Sequence, residues 1–450
     1  MTSTLETQAT AATIGDLTGT ASGLTAVAVF ALAYLFVIAE EFTRVRKSTP
    51  VIVAAGIIWV LVAIAWPGSD TSRAIELLRH SLVEYAELLL FLLAAMSYVH
   101  TLEERQVFAA LRARLVARGL SFRALFWITG LLAFCLSPVL DNLTAALVLG
   151  AVAAAVGRGN QRFIVLACIN IVVAANAGGA FSPFGDITTL MVWQEGLVSF
   201  VGFLVLFLPS LVNWLIPAVL MTFAVPRGLP EAVSDSARVR TGGFIVIVLF
   251  AATIILTVAL HHYLHLPPVL GMMTGLGALQ ICGYLIRNQE QRLHCDDPPD
   301  AKQRPFDIFL VMRRVEWDTL MFFYGVILCV GGLGALGYLS ALSNVTYAAA
   351  GATTANILVG VASAIVDNIP IMFAVLSMHP QMSDGQWLLV TLTAGVGGSM
   401  LSIGSAAGVA LMGQAHGVYT FFAHLKWAWA IALGYAASIG VHMLINAHLF

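Results

Sequence analysis

Charge is scarce in this chain. Only 10% of its 450 residues are Asp, Glu, Lys or Arg, 59% are hydrophobic, and the mean hydropathy is +0.90. An ordinary soluble domain carries about a quarter charged residues, so that class is excluded. The ~10-residue alternating segments of an outer-membrane barrel are absent as well. Cysteine is sparse: Cys135, Cys168, Cys282, Cys295 and Cys329 are scattered, with no CxxC spacing, and four of them lie in apolar runs. That excludes a disulfide framework, and a small buried hydrophobe is the plain reading of each. Positive charge is missing from Met1 to Ala21, which holds Glu6 and Asp16. A secretory signal or an Arg-rich transit peptide is not expected there, and 1–21 is expected to be a disordered tail.

Long apolar runs are what the chain does have. They cover roughly 22–42, 51–66, 82–100, 124–156, 163–195, 199–224, 243–261, 266–286, 317–338, 346–378, 386–414 and 424–446. A helix needs about 20 apolar residues to cross a bilayer, so the chain is an all-α polytopic membrane protein. Ten runs suit single crossings. The runs 124–156 and 346–378 are too long for one, and each is broken at its centre by Asp-Asn near a proline, Pro138 or Pro370. A re-entrant hairpin resolves both: the chain enters, turns at Asp-Asn and leaves by the same side.

Basic residues test that plan. With the N-terminus outside and both long runs as hairpins, 20 of the 22 Lys and Arg fall in inside loops, and only Arg73 and Arg79 fall outside. Cytoplasmic loops carry such an excess. No Lys or Arg occurs between Val315 and Leu425. Residues 22–224 and 243–446 then share one order: three crossings, a hairpin, two crossings. Their orientations are opposite, so the expected architecture is two inverted repeats, each of five transmembrane helices and one re-entrant hairpin, with broken helices at the midplane. A cytoplasmic linker is expected at 225–242 and a cytoplasmic loop at 287–316.

Two short patterns carry the chemistry. Ser137-Pro-Val-Leu-Asp141-Asn142-Leu-Thr144 returns as Ser363-Ala-Ile-Val-Asp367-Asn368, 226 residues later. After each hairpin a glycine-interrupted crossing follows, 163–195 and 386–414. Gly178, Gly179 and Gly185 match Gly397, Gly398 and Gly404 at a constant offset of 219. Such clusters break the helix ladder, and the freed carbonyls are tolerated only where they line a cavity. Asp141, Asp186 and Asp367 lie deep in these elements. A charged carboxylate there costs at least ~3 kcal/mol, so each needs a proton, a partner or a cation. Asn142, Thr144, Asn368, Ser402 and Ser405 surround them in sequence, with Ser137, Ser182 and Ser363 in support. Oxygen donors without a Cys or His cluster suit a hard cation such as Na+, held by Asp141 and Asp367. The plainer alternatives are that the aspartates only cap half-helices and that each hydroxyl only joins helices. Glu87, Glu316, Asp318 and His80 are further candidates, for proton relay or pH sensing. The other histidines near span ends, His424 among them, and tryptophans such as Trp66, Trp193 and Trp427 read as interfacial residues.

Together these motifs resemble the NhaD-type sodium/proton antiporters of the ion-transporter superfamily, over 22–446. The resemblance implies a bacterial inner-membrane protein that exchanges internal Na+ or Li+ for external H+. It implies roles for Ser137, Asp141, Thr144, Asp186, Ser363, Asp367, Asn368, Ser402 and Ser405, and a homodimer with elevator-like movement. Proton and sodium competing for the aspartates under alternating access would suffice for antiport. The expected partners are Na+, Li+, H+ and the bilayer, with no nucleic acid, no cofactor and no enzymatic activity. An anion carrier on the same fold, such as an arsenite or oxyanion permease or a Na+-coupled dicarboxylate symporter, is the alternative. Related dicarboxylate carriers have Ser-Asn-Thr at the hairpin tips, and aspartate there would repel a dicarboxylate. An intramembrane aspartyl protease is disfavoured, because Pro183 precedes Phe184-Gly185-Asp186 where that motif needs glycine.

Overall fold

The computed structural model describes residues 16–43, 45–66, 71–157, 159–230, 237–293, 307–415 and 417–450. Residues 1–15, most of the expected N-terminal tail, lie outside them, as do 231–236 of the linker and 294–306 of the 287–316 loop. The described residues are helical and contain no strand. Ten helices among them are long and apolar enough to cross a membrane. The chain is a multi-pass membrane protein.

One compact unit comprises residues up to Leu89, Glu316–Ala355 and Ile369–Gln381. It contains α1 (Ala21–Ile38), α2 (Ser48–Ala65), the first half of α3 (Thr71–Glu104), α4 (Trp317–Ala335) in its own stretch of chain, and most of a short helix from Asn368. Lipid is as apolar as leucine, so helices in it associate through close packing and polar bonds. Gly325 and Gly332 supply that closeness. A Cβ on Gly325 would lie 2.5 Å from Val51, and one on Gly332 would lie 2.6 Å from Ile58. The Trp59 indole donates to the Leu328 carbonyl at 2.9 Å, and Ala54, Ala55, Ile58 and Val62 fill the same core.

The other unit holds Leu90–Val315, Asn356–Asn368 and Met382–Phe450. Its centre is built from α5 (Phe122–Leu140), α6 (Asn142–Val156) and α7 (Gln161–Gly179). Contacts set their directions. Phe122 packs against Phe163 with tilted rings, Asn170 donates to the Phe126 carbonyl, and Ser137 donates to the Ala175 carbonyl, so α5 runs parallel to α7. Asn142 meets Asn176 and Gly157 meets Phe163 and Ile164, so α6 runs antiparallel to α7. The chain therefore doubles back between Leu140 and Asn142. The turn is one residue, Asp141, at φ 69° and ψ 161°. That region is almost reserved for glycine and costs of order 1–3 kcal/mol for a side chain.

The contacts recur in the second half of the chain. Helix α8 (Ala352–Ser363) runs parallel to α9 (Asp384–Gly397), since Asn356 donates to the Gln386 carbonyl and Ser363 to the Ala394 carbonyl. Gly178 lies against the Phe134 carbonyl, and Gly397 against the Gly360 carbonyl. These pairs are related by the same offsets of 226 and 219 found in the sequence. The Phe134 contact has a local cause. Pro138 lacks the N–H that would bond to that carbonyl, and the missing side chain of Gly178 lets another helix close on it.

Both glycine-interrupted crossings are broken. Helix α7 stops at Gly179, and α10 (Ile187–Gln194) starts at Ile187. Helix α9 stops at Gly397, and α11 (Ala406–Gln414) starts at Ala406. In each break the two glycines face each other: a Cβ on Gly179 would lie 2.6 Å from the Gly185 carbonyl, and one on Gly398 2.5 Å from that of Gly404. Trp193 is not exposed as an anchor in lipid would be. It is fully buried, because it ends α10 against Phe184 and Phe200, both at 5.8 Å.

Candidate functional site

The first break and two half-helix starts meet at Asp186. This carboxylate precedes α10 and is buried. Its Oδ1 accepts from the Thr188 N–H at 3.3 Å. Its Oδ2 accepts from Asn142 at 3.3 Å and from Asn368 at 3.0 Å. Asn142 opens α6 and Asn368 opens the helix Asn368–Ser377, so one oxygen gathers an amide from each Asp-Asn pair. Hydrogen bonds to an ionised group are stronger than neutral ones, about 1.5–3 kcal/mol each, and such donors favour the charged carboxylate.

The network continues away from Asp186. Asn142 also donates to Asn176 Oδ1 at 3.1 Å, and Asn176 donates to Ser405 Oγ at 3.0 Å. Both amide hydrogens of Asn142 are thus committed, which fixes the orientation of its carbonyl oxygen. Ser405 caps α11, where Asp186 caps α10, so the matched positions of the two broken crossings are linked through Asn176. Two buried hydroxyls, Thr188 Oγ1 in the first turn of α10 and Ser402 Oγ in the second break, have no hydrogen-bond partner. A buried hydroxyl left unpaired costs about 1–3 kcal/mol, and a hard cation or a water would supply the missing partner.

Asp141 does cap a helix. Its Oδ1 accepts from the Thr144 N–H at 2.8 Å and its Oδ2 from the Thr144 hydroxyl at 2.9 Å. The positive end of α6 favours a carboxylate there. Capping and ligation are compatible, since each carboxylate oxygen keeps a further lone pair. Asp367 is half-buried in the turn before Asn368, close enough to Asp186 for their charges to act on each other.

The supporting serines hold the scaffold. Ser137 and Ser363 are fully buried and tie matching helix pairs, at 2.6 and 2.8 Å, to the carbonyls of Ala175 and Ala394. Ser182 donates to the Pro138 carbonyl at 2.8 Å, joining the first break to α5. The relay candidates belong to the other compact unit. There His80 pairs with Glu84 at 3.2 Å, Glu316 accepts from Thr319, Asp318 accepts from Ser48, and Glu87 is half-buried on α3.

Thr188, an oxygen donor two residues after Asp186 and a candidate from the sequence, belongs to the cluster, and so does Asn176, which sequence reasoning did not single out. Asn176 stands two residues before the glycine pair, so proximity to the break was the available signal. His424 was also missed. It is fully buried within the protein: one ring nitrogen contacts the Tyr419 hydroxyl at 2.7 Å and the other the Ser399 carbonyl, within the second break, at 2.9 Å. Among the described residues no group of three or more His, Cys, Asp or Glu is placed to hold a metal ion.

A multi-pass membrane protein that buries a carboxylate among amides and hydroxyls has the features of an ion carrier. Residues 17–395 match the family model described as a citrate transporter. The chain is 55% identical to the Na(+)/H(+) antiporter NhaD of Alkalimonas amylolytica, over 97% of this chain and 93% of that one. It is 52% identical to the NhaD of Vibrio cholerae, over 97% and 94%. It is 32% identical to sodium/proton antiporter 1 of Arabidopsis thaliana, over 93% and 71%. The chain belongs to the family of NhaD-type Na+/H+ antiporters.

Proposed function

We propose that this protein exchanges Na+, and Li+ in its place, for H+ across the bacterial inner membrane. The observation that carries this reading is the Oδ2 of Asp186, which accepts amides from both Asp-Asn pairs inside a buried, oxygen-lined cluster. The relatives named as Na+/H+ antiporters support it. In this reading Asp141, Asp186 and Asp367 receive either the cation or protons. Asn142, Thr144, Asn176, Thr188, Asn368, Ser402 and Ser405 offer oxygens to the cation. Sodium favours the ionised carboxylates and displaces protons, and protons displace sodium. Alternating access converts that competition into exchange.

The arrangement we propose is two inverted repeats, 22–224 and 243–446, with re-entrant hairpins at 124–156 and 346–378, the N-terminus outside, and two copies in a homodimer. The recurrence of the Ser137–Ala175 and Gly178–Phe134 contacts as Ser363–Ala394 and Gly397–Gly360 supports the repeats. Citrate, named in the family model, is disfavoured in this reading: Asp186 and the nearby Asp367 carry like charge, none of the residues named around them is Lys or Arg, and a tricarboxylate would be repelled.

Everted membrane vesicles carrying a pre-formed pH gradient and a pH-sensitive dye test the proposal. Sodium and lithium should collapse the gradient and choline should not. No response to any monovalent cation between pH 7 and 9, with citrate collapsing the gradient instead, would replace this reading with the anion-carrier one.

A further inference from the structure

An open pocket of about 360 Å³ lies away from the aspartate cluster. Its position is set by span ends. Gln161 is the first residue of one span, Ala224 lies two past the end of another at Thr222, and Trp427 immediately precedes a third that starts at Ala428. Three spans ending together put the pocket at the depth where hydrocarbon gives way to headgroups. Its lining combines aliphatic residues, Ala423 among them, with Arg162 and Lys426, both exposed. Neither cation forms an ion pair with another described residue. Trp427, half-buried beside them, is the residue type that favours this depth.

Two unpaired cations among aliphatic residues at a bilayer interface are complementary to one class of ligand. A phosphate diester places its charge against Arg162 and Lys426, while its glycerol and upper acyl carbons lie on the aliphatic lining. A guanidinium suits a phosphate in bidentate fashion, an ammonium serves as a point charge beside it, and basic pockets between spans bind anionic headgroups. We propose that this pocket binds the headgroup of an anionic phospholipid. The proposal goes beyond the exchange reaction and stands independently of it.

The pocket lining also adjoins a contact to the second break. Ala423 and Lys426 flank His424, whose ring contacts the Ser399 carbonyl in the second break. A lipid seated on this segment braces the element that holds that carbonyl.

Native mass spectrometry of the full chain tests this, with lipid taken from mixtures of phosphatidylglycerol and phosphatidylcholine. The wild-type chain should retain phosphatidylglycerol preferentially. A basic residue near an anionic surface contributes about fivefold, so Arg162→Gln with Lys426→Gln should reduce the preference about thirtyfold. Arg118→Gln, an exposed cation elsewhere, should leave it unchanged. Ala423→Trp fills the pocket with both charges intact and should also abolish retention, which covers the event that the double variant does not insert. Retained preference in either pocket variant overturns the proposal. Inorganic phosphate displacing the lipid at equal concentration overturns it too, because the site then takes a free anion.

Discussion

Asn368 donates its amide to the Oδ2 of Asp186 at 3.0 Å, across 182 positions of sequence. The bond joins the second Asp-Asn pair to the first broken crossing. It makes the Asp186 carboxylate the junction of elements that lie far apart along the chain.

Removing that donor should therefore weaken sodium binding without dismantling the fold. Asn368→Ala deletes one hydrogen bond to an ionised group, worth about 1.5–3 kcal/mol. The sodium concentration for half-maximal exchange should rise about 10- to 100-fold, and the pH of half-maximal exchange should move upward. Asn142→Ala should do the same. Dye-reported exchange over a sodium series at several pH values checks both. An unchanged sodium dependence in each would mean that Asp186 does not meet the cation.

Asp186→Asn keeps the size of the side chain and its capping oxygen but removes the charge. Exchange should vanish with insertion retained; the cap on the Thr188 N–H survives, but the new NH2 faces the donors of Asn142 and Asn368, so the melting temperature should fall. Ser405 occupies the matching cap of the second break, so Ser405→Ala should lower exchange only in part. Residual exchange greater in the aspartate variant than in the serine variant would reverse the assigned weights.

Much of this site was legible before any coordinates. Asp-Asn in an apolar run demands a break and a charge partner, and the glycine offsets of 219 announce paired broken crossings. The paired contacts at Ser137 and Ser363 follow from the same pattern. What the pattern does not carry is which carboxylate sits at the junction. Asp141 and Asp367 share a motif, so attention goes to them, whereas Asp186 stands once, with Ser405 as its counterpart. Its role comes from amides delivered by chain segments distant in sequence. The burial of His424 and Trp193 escaped for the same reason. Both stand near the ends of apolar runs, where interfacial residues are common, and only their tertiary neighbours bury them.

Asp141 combines a charge with a backbone that suits glycine, and two substitutions separate these properties. Asp141→Gly removes the charge and relieves the φ 69°, ψ 161° conformation. Asp141→Ala removes the charge and keeps the strain, about 1–3 kcal/mol. Both should abolish exchange. The glycine variant should melt measurably above the alanine variant in detergent. Equal melting temperatures would mean that the turn relaxes once the Thr144 bonds are gone.

His424 should tune stability at acid pH and leave the alkaline profile alone. It sits in the short helix Phe421–Leu425 that precedes the last span, and burial pushes its imidazole down to about 4 from an ordinary value of 6.5. A neutral ring fits the geometry: one nitrogen donates to the Ser399 carbonyl and the other accepts from the Tyr419 hydroxyl. The folded protein then binds fewer protons than the unfolded chain between those two values, so stability rises with pH across the window. The contribution is complete above pH 6.5 and is lost as the pH falls toward 4. Melting temperature should accordingly fall more steeply in wild type than in His424→Gln over that range. Between pH 7 and 9 the ring does not titrate. His424→Gln, which loosens the hold on Ser399, should therefore lower the exchange rate without moving the pH profile. A shifted alkaline profile would make His424 a proton-sensing group and would contradict the neutral, buried ring.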